Sequence, residues 1–160
     1  MIMKIEVIER DYEYYHRKDD IIKSFDNIRG WFYGYKFGFS KLNEESMEYE
    51  NYNGLEFFKD DESPEEFEIY LDYPLSCMAK ATVKARTNLE LAVRIADMYH
   101  QIYEEENESS TIPEGQASEN LINRNRTNGK YGIWGHVLSD LVLEGLQIHE
   151  GNKVTVYVGS

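Results

Sequence analysis

The sequence predicts an α+β fold: a mostly antiparallel sheet, one long helix at about residues 87–106 packed on one face, and a C-terminal β-hairpin. Apolar and polar residues alternate over 66–73 and again over 77–86, which is typical of half-buried strands. A capping pattern at Thr87 opens a run of helical periodicity. The chain has 160 residues, 41% of them apolar, which suits a single domain over residues 1–160 with a substantial core.

The sequence pattern of the N-terminal part predicts a strand, a short helix and an aromatic strand. The three inward side chains of the first strand, over residues 3–9, are Met3, Ile5 and Val7. Apolar residues over 20–29 share a helical face, and Gly30 follows as a helix terminator. Residues 31–39 then place five aromatic side chains on one side of a strand, which suits a core or a dimer interface.

A polar connection over 43–61, with room for a short strand at 55–58, leads to a predicted hairpin. Pairing the two alternating segments of that hairpin places Glu66 opposite Lys84 and Glu68 opposite Thr82, and opposite charges on neighbouring strands favour this register. A helix over 75–85 is the competing interpretation, because alanine and lysine favour helices.

The helix that begins after Thr87 is the most strongly indicated element. The Thr87 hydroxyl and the Glu90 carboxylate form a capping-box pattern. The predicted buried stripe is Leu89, Ala92, Ile95, Ala96, Tyr99 and Ile102. We expect the helix to end near Glu106 and to fray there, because three consecutive glutamates at 104–106 oppose the helix dipole.

The last third of the chain predicts a loop and a hairpin. Residues 107–128 are polar, and loops of this length are usually functional or flexible. Apolar runs at 141–148 and 154–158 flank a turn and predict a terminal hairpin. The inward side chains of its second strand are Val154, Val156 and Val158.

Charge and composition restrict the function classes. Thirty acidic residues oppose 17 lysines and arginines, giving a net charge of −13 that argues against direct nucleic-acid binding. No apolar run is long enough to span a membrane, and the N-terminus lacks a signal-peptide core, so we expect a cytoplasmic protein without membrane contact. A lone cysteine excludes an internal disulfide.

An acidic block over residues 43–72 carries the leading functional hypothesis. It contains twelve acidic residues and one base, interleaved with tyrosine and phenylalanine. Spaced carboxylates can imitate a phosphate backbone and occupy a basic groove. We therefore expect a non-enzymatic acidic interaction protein, in its specific form a phage or mobile-element inhibitor of a nucleic-acid-handling enzyme. Its partner-binding residues would be Glu44, Glu45, Glu48, Asp60, Asp61, Glu62, Glu65 and Glu66. A solvated surface that keeps the protein soluble explains the same block.

A basic island over 120–136 supports an alternative function. Arginines, asparagine amides and glycine-exposed backbone amides can together hold an anionic small molecule or nucleotide. The candidate ligand-binding residues are Arg124, Arg126, Lys130, Trp134 and His136. The island would otherwise be an intramolecular latch that pairs with the acidic block. A third interpretation is a structural or assembly subunit whose aromatic strand pairs across a homodimer.

The sequence contains no catalytic motif, and we assign no catalytic residue, cofactor or metal. His136, Asp140 and Glu144 would share a face of a helix, but a strand from about Leu141 separates Glu144 from the other two. Asp140 is better explained as a local cap. Cys77, which lies among small apolar residues on an inward strand face, is expected to be an inert core thiol.

Overall fold

A computed structural model describes residues 3–10, 20–26, 28–32, 40–51, 64–115 and 125–160. In this part of the chain, nine strands form one mixed sheet and a single α-helix packs against it, which confirms the predicted α+β class. The strands are β1 (Glu6–Ile8), β2 (Ile21–Phe25), β3 (Ile28–Trp31), β4 (Ser40–Asn43), β5 (Glu48–Asn51), β6 (Glu65–Leu71), β7 (Met78–Ala85), β8 (Val142–His149) and β9 (Lys153–Gly159). The helix is α1 (Asn88–Ser109).

The strand order in the sheet is β1-β7-β6-β9-β8-β3-β4-β5, and β2 also pairs with β8. Every pairing between described strands is antiparallel except β6 with β9, which is parallel. The predicted terminal hairpin, β8 and β9, is confirmed and lies in the middle of this order. Val154 and Val156 are buried as predicted, and Val158 packs partly buried against the core.

The β6–β7 hairpin has the predicted register, with Glu66 opposite Lys84 and Glu68 opposite Thr82. Alternate residues of β7 are buried on the face that α1 covers, which is the period of a strand. The competing helix over 75–85 is therefore wrong. Cross-strand pairing with β6 outweighs the intrinsic helix preference of alanine and lysine.

The helix begins as predicted, since the Thr87 hydroxyl accepts a hydrogen bond from the Glu90 amide at 2.9 Å. The Glu90 carboxylate accepts from the Arg86 amide at 2.5 Å. Leu91 lies fully buried, whereas Leu89 is only partly buried against the core. The rest of the predicted stripe is buried, namely Ala92, Ile95, Ala96, Tyr99 and Ile102. No helix in the described residues is long and apolar enough to cross a membrane.

The helix α1 ends slightly beyond the predicted end near Glu106. The helix continues past Glu106 to Ser109, and Glu106 is fully buried. A later segment of the chain binds the Glu106 carboxylate, as described below. The predicted polar loop at 107–128 therefore begins only after Ser109, and residues 116–124 of it lie outside the described part of the chain.

The short helix predicted over 20–29 is also wrong, because this segment forms β2 and β3. Both strands pair antiparallel with β8. The β-branched isoleucines of the segment suit strands, and pairing with a central strand overrides their helical spacing. Ile22, which the helix would have buried, is exposed.

The remaining N-terminal predictions are partly confirmed. Met3 and Ile5 are buried, but Val7 is exposed on the edge strand β1 and not on the inner face. Trp31 ends β3, and residues 33–39 of the predicted aromatic strand lie outside the described part of the chain. The start of the polar connection is instead the β4–β5 hairpin, while the proposed strand at 55–58 lies outside the described residues.

Candidate functional site

A buried glutamate joins the end of α1 to the glycine loop, which we define as residues 127–132. Atom Oε2 of Glu106 accepts hydrogen bonds from the Thr127 hydroxyl at 2.6 Å and from the Gly129 amide at 2.8 Å. It also accepts from the Gly132 amide at 3.2 Å, while Oε1 accepts from the Tyr131 amide at 2.7 Å. Buried carboxylates need such donors, because the interior cannot solvate their charge.

The glycine loop is therefore occupied by a carboxylate of the chain itself. The sequence suggested that these backbone amides bind an external anion. In the other interpretation, the basic side chains pair with the acidic block. Instead the amides bind Glu106, and the Lys130 ammonium lies 3.7 Å from Glu105 of the helix. The Tyr131 hydroxyl donates to Glu105 at 3.2 Å, and burial together with that carboxylate raises the pKa of Tyr131. Lys130 does form an intramolecular ion pair, but with Glu105 of α1 and not with the acidic block.

Arg126 and Trp134 lie together on the surface next to the glycine loop. They form an isolated antiparallel bridge, and the Arg126 guanidinium carbon lies 4.8 Å from the centre of the Trp134 ring. The Trp134 side chain is 53% exposed, so most of this large apolar ring faces solvent. Such a stack is a cation–π contact, which fixes the guanidinium against the ring.

His136 and Tyr73 form a second pair beside Trp134. The Tyr73 hydroxyl lies 2.8 Å from Nε2 of His136 and 2.9 Å from the Ser160 hydroxyl. On its other side, Nδ1 of His136 lies 3.8 Å from Asp140. The sequence hypothesis had included His136 but had missed Tyr73. Its adjacent Pro74 marks a turn, but nothing in the sequence shows that the turn meets residues 131–136.

Two tyrosines of α1 hold this pair in place from beneath. Tyr99 donates to the backbone carbonyl of Tyr73 at 2.6 Å, and Tyr103 donates to the carbonyl of His136 at 2.8 Å. Both helix tyrosines are almost fully buried, and burial raises the pKa of Tyr103. The surface pair therefore rests on a rigid element, which is the arrangement that precise binding sites require.

The predicted acidic array is divided between two places. Glu44, Glu45 and Glu48 are exposed at the β4–β5 turn. Glu65 and Glu66 begin β6, where Glu66 lies opposite Lys84 in the neighbouring strand. The other predicted members, Asp60, Asp61 and Glu62, lie outside the described residues, as does Arg124 of the alternative site.

His149 is a buried histidine that the sequence analysis did not identify as a candidate. Nδ1 of His149 lies 2.8 Å from Asp20, and Nε2 lies 2.9 Å from the Thr155 hydroxyl. His149 and Thr155 are buried, so solvent and substrates do not reach them. The network resembles a catalytic relay in order but acts structurally, since it satisfies polar groups of β8 and β9 and ties them to the residue before β2.

The remaining sequence candidates are Cys77 and the set His136, Asp140 and Glu144. Cys77 is only half-buried against the core and lies just before β7, not on the inner face of a strand as predicted, and burial raises the pKa of its thiol. Asp140 accepts from the Val137 amide at 3.2 Å, which confirms it as a local cap, and Glu144 lies in β8. Among the described residues, no three His, Cys, Asp or Glu side chains are grouped to hold a metal ion.

The described surface thus offers two kinds of recognition chemistry: exposed carboxylates at one hairpin, and an exposed aromatic ring with a cation and two polar rings near the glycine loop. A comparison of the chain with known protein families, curated proteins and solved structures finds no match.

Proposed function

We propose that this protein is a non-enzymatic binding protein that engages a basic partner through an acidic hairpin tip, defined as residues 43–48. The observation that carries the proposal is the exposure of Glu44, Glu45 and Glu48 on one short turn. In the described part of the chain none of these three carboxylates forms an ion pair. Unpaired, hydrated carboxylates are available to a cationic partner at little cost. The most specific form of the proposal is an inhibitor that occupies the basic, nucleic-acid-binding groove of an enzyme.

The acidic side chains of β6 are less available than those of the tip. Lys80 lies 3.5 Å from Glu68, which also accepts a hydrogen bond from the Tyr70 hydroxyl. Glu66 has Lys84 as its cross-strand neighbour. Partial neutralisation by the chain's own lysines lowers the attraction of this sheet face for an external cation. The hairpin tip is therefore the stronger candidate within the acidic block.

Local hydrogen bonds order the tip. The side-chain oxygen of Asn43 accepts from the amides of Glu45 at 3.0 Å and Ser46 at 3.3 Å, and the Met47 amide donates to the Asn43 carbonyl at 2.7 Å. An Asx turn of this kind reduces the conformational freedom that binding would otherwise have to remove. The three carboxylates are consequently presented on a defined turn.

An exposed methionine adds apolar contact to the charged tip. The Met47 side chain is 70% exposed, between Ser46 and Glu48. Methionine is flexible and polarisable, and it adapts to irregular partner surfaces. Carboxylates that steer a basic partner and an apolar side chain that is buried on contact are the usual combination in protein interfaces.

The experiment is a capture assay on host lysate with the wild-type chain and two triple variants. The tip variant is E44Q/E45Q/E48Q. The matched control is E104Q/E108Q/E150Q, which removes the same amount of charge from three other exposed glutamates. Mass spectrometry identifies the captured proteins, and the purified partner is then titrated at low and high salt.

We expect a basic partner to bind the wild type and the control alike. The tip variant should bind at least about threefold more weakly, since each exposed charge pair contributes about 0.2–1 kcal/mol. Affinity should also fall as salt rises, because exposed charges are screened. If the tip variant and the control lose the same affinity for the partner, the effect comes from net charge and not from the tip. An affinity that does not change with salt would contradict the proposal.

A further inference from the structure

We propose that Tyr73, Arg126, Trp134 and His136 form a binding site for a nucleoside phosphate, whose base stacks on Trp134 and whose phosphate is held by Arg126. We call these four residues the tryptophan patch. The site shares no residue with the acidic hairpin tip, so its test is independent of the proposed function. It also differs from the alternative suggested by the sequence, because Tyr73 joins it and Lys130 faces α1 instead.

The exposed ring supplies the stacking surface. Arg126 covers part of the Trp134 ring, yet the side chain remains more than half exposed, so the base is assigned to the ring surface that Arg126 leaves open. Trp134 is also fixed in place, because its amide donates to the Pro74 carbonyl at 2.9 Å and its neighbour Ile133 is bridged to Leu75. Every nucleobase has a π face, so stacking suits this ligand class.

Arg126 supplies the charge for the phosphate. Its guanidinium is stacked on Trp134, and no described carboxylate forms an ion pair with it. An arginine without an ion-pair partner contrasts with Arg86 and Arg94, which lie 3.8 Å and 3.5 Å from their carboxylate partners. A guanidinium held by a ring keeps its N–H edge available, and that edge matches the geometry of phosphate oxygens.

Tyr73 and His136 supply hydrogen bonds next to the ring. Tyr73 precedes Pro74, whose carbonyl accepts a hydrogen bond from the Trp134 amide, and the Tyr73 hydroxyl lies 2.8 Å from Nε2 of His136. The hydroxyl and imidazole are partly exposed, and they can bond to ribose hydroxyls. A few fixed polar groups beside an apolar surface give a bound small molecule its orientation.

The net charge of the chain does not oppose this assignment. At physiological ionic strength, charges on the surface are screened over about 8 Å. The potential that a phosphate meets beside Arg126 is therefore set by the nearest groups, and distant carboxylates contribute little. Asp140 lies 3.8 Å from Nδ1 of His136, so the phosphate is assigned to Arg126 and not to the His136 end of the patch. A small anion can bind to a local cation on a strongly acidic protein for this reason.

The experiment is isothermal titration of the full chain with AMP, adenosine and inorganic phosphate. The test variants are W134A and R126Q, and the matched control is R86Q, which removes an exposed arginine just before α1. Because Trp134 and Arg126 are exposed, their substitution should leave the fold intact, and circular dichroism melting curves verify this.

We expect AMP to bind more tightly than adenosine or phosphate. W134A should weaken AMP binding at least about tenfold, as the loss of one stacked base does, and R126Q should reduce AMP binding to the level of adenosine. R86Q should bind like the wild type. The proposal is overturned if AMP does not bind at millimolar concentration, if phosphate alone binds as tightly as AMP, or if folded W134A binds AMP like the wild type.

Discussion

Glutamate occurs in two opposite settings in this molecule, at the end of α1 and at the acidic hairpin tip. Glu106 is 0% exposed and its carboxylate accepts hydrogen bonds from the glycine loop, whereas Glu44, Glu45 and Glu48 are exposed to solvent. The side chains are chemically identical. Because their surroundings differ, the buried Glu106 stabilises the fold, whereas the three exposed glutamates of the tip are accessible from solvent.

The comparison also explains the composition of the glycine loop. A side chain at Gly129 would have its Cβ 2.7 Å from Cδ of Glu106, and Gly132 has a φ of +63° that side chains rarely adopt. Glycine at both positions lets the backbone amides close around a carboxylate. The glycines that suggested an anion site in the sequence do bind an anion, but it is the carboxylate of Glu106.

The largest effect is expected from removing the buried carboxylate. Glu106→Ala leaves the amides of Gly129, Tyr131 and Gly132 without an acceptor in a buried position. We expect it to lower the free energy of unfolding by about 3 kcal/mol or more, since hydrogen bonds to a charged group contribute about 1.5–3 kcal/mol each and unsatisfied buried donors are costly. Urea unfolding followed by circular dichroism measures this loss.

Glu108→Ala is the matched control, because Glu108 is exposed in the last turn of the same helix. Its removal should change the free energy of unfolding by no more than about 0.5 kcal/mol. Similar losses in the two variants would show that the glycine loop does not depend on Glu106, and the contrast between buried and exposed carboxylates would fail.

A smaller effect is expected from crowding the carboxylate. Gly129→Ala places a methyl group against Glu106 and 2.5 Å from the Ser109 hydroxyl, so the loop must shift. Overpacking of this kind costs about 1–3 kcal/mol. Hydrogen exchange should also show faster exchange at the Tyr131 and Gly132 amides. Ser139→Ala, an exposed change outside the loop, is the control, and slow exchange retained in Gly129→Ala would contradict the proposed crowding.

Much of the sheet could be predicted because its signals are local. The β6–β7 register follows from alternating side chains a few residues apart, and the start of α1 follows from Thr87 and Glu90. The β2–β3 segment could not be predicted, since its partner β8 lies more than a hundred residues further along the chain. Its isoleucines also fit a helical period, so the local sequence pattern predicted a helix where two strands form.

The candidate site was less predictable than the fold, for a physical reason. Backbone amides of the glycine loop bind Glu106, and every residue except proline has such an amide, so residue types do not reveal the pairing. In sequence Glu106 is only the third glutamate of a run. Tyr73 and His136 are 63 positions apart and meet through the packing of two turns. Only the exposed members, such as Trp134, were recognisable from composition.

The smallest effect on stability is expected at the acidic hairpin tip. The variant E44Q/E45Q/E48Q removes three charges, but the side chains are exposed and the turn is ordered by Asn43 and by backbone groups. We expect its free energy of unfolding to stay within about 0.5 kcal/mol of the wild type in urea, with a slight gain at low salt that disappears at high salt because like charges no longer repel. Glu106→Gln removes a single charge and should cost more than all three tip changes together. If the tip variant unfolds as readily as Glu106→Gln, these carboxylates stabilise the fold. That result would contradict the proposal that the tip is a binding surface.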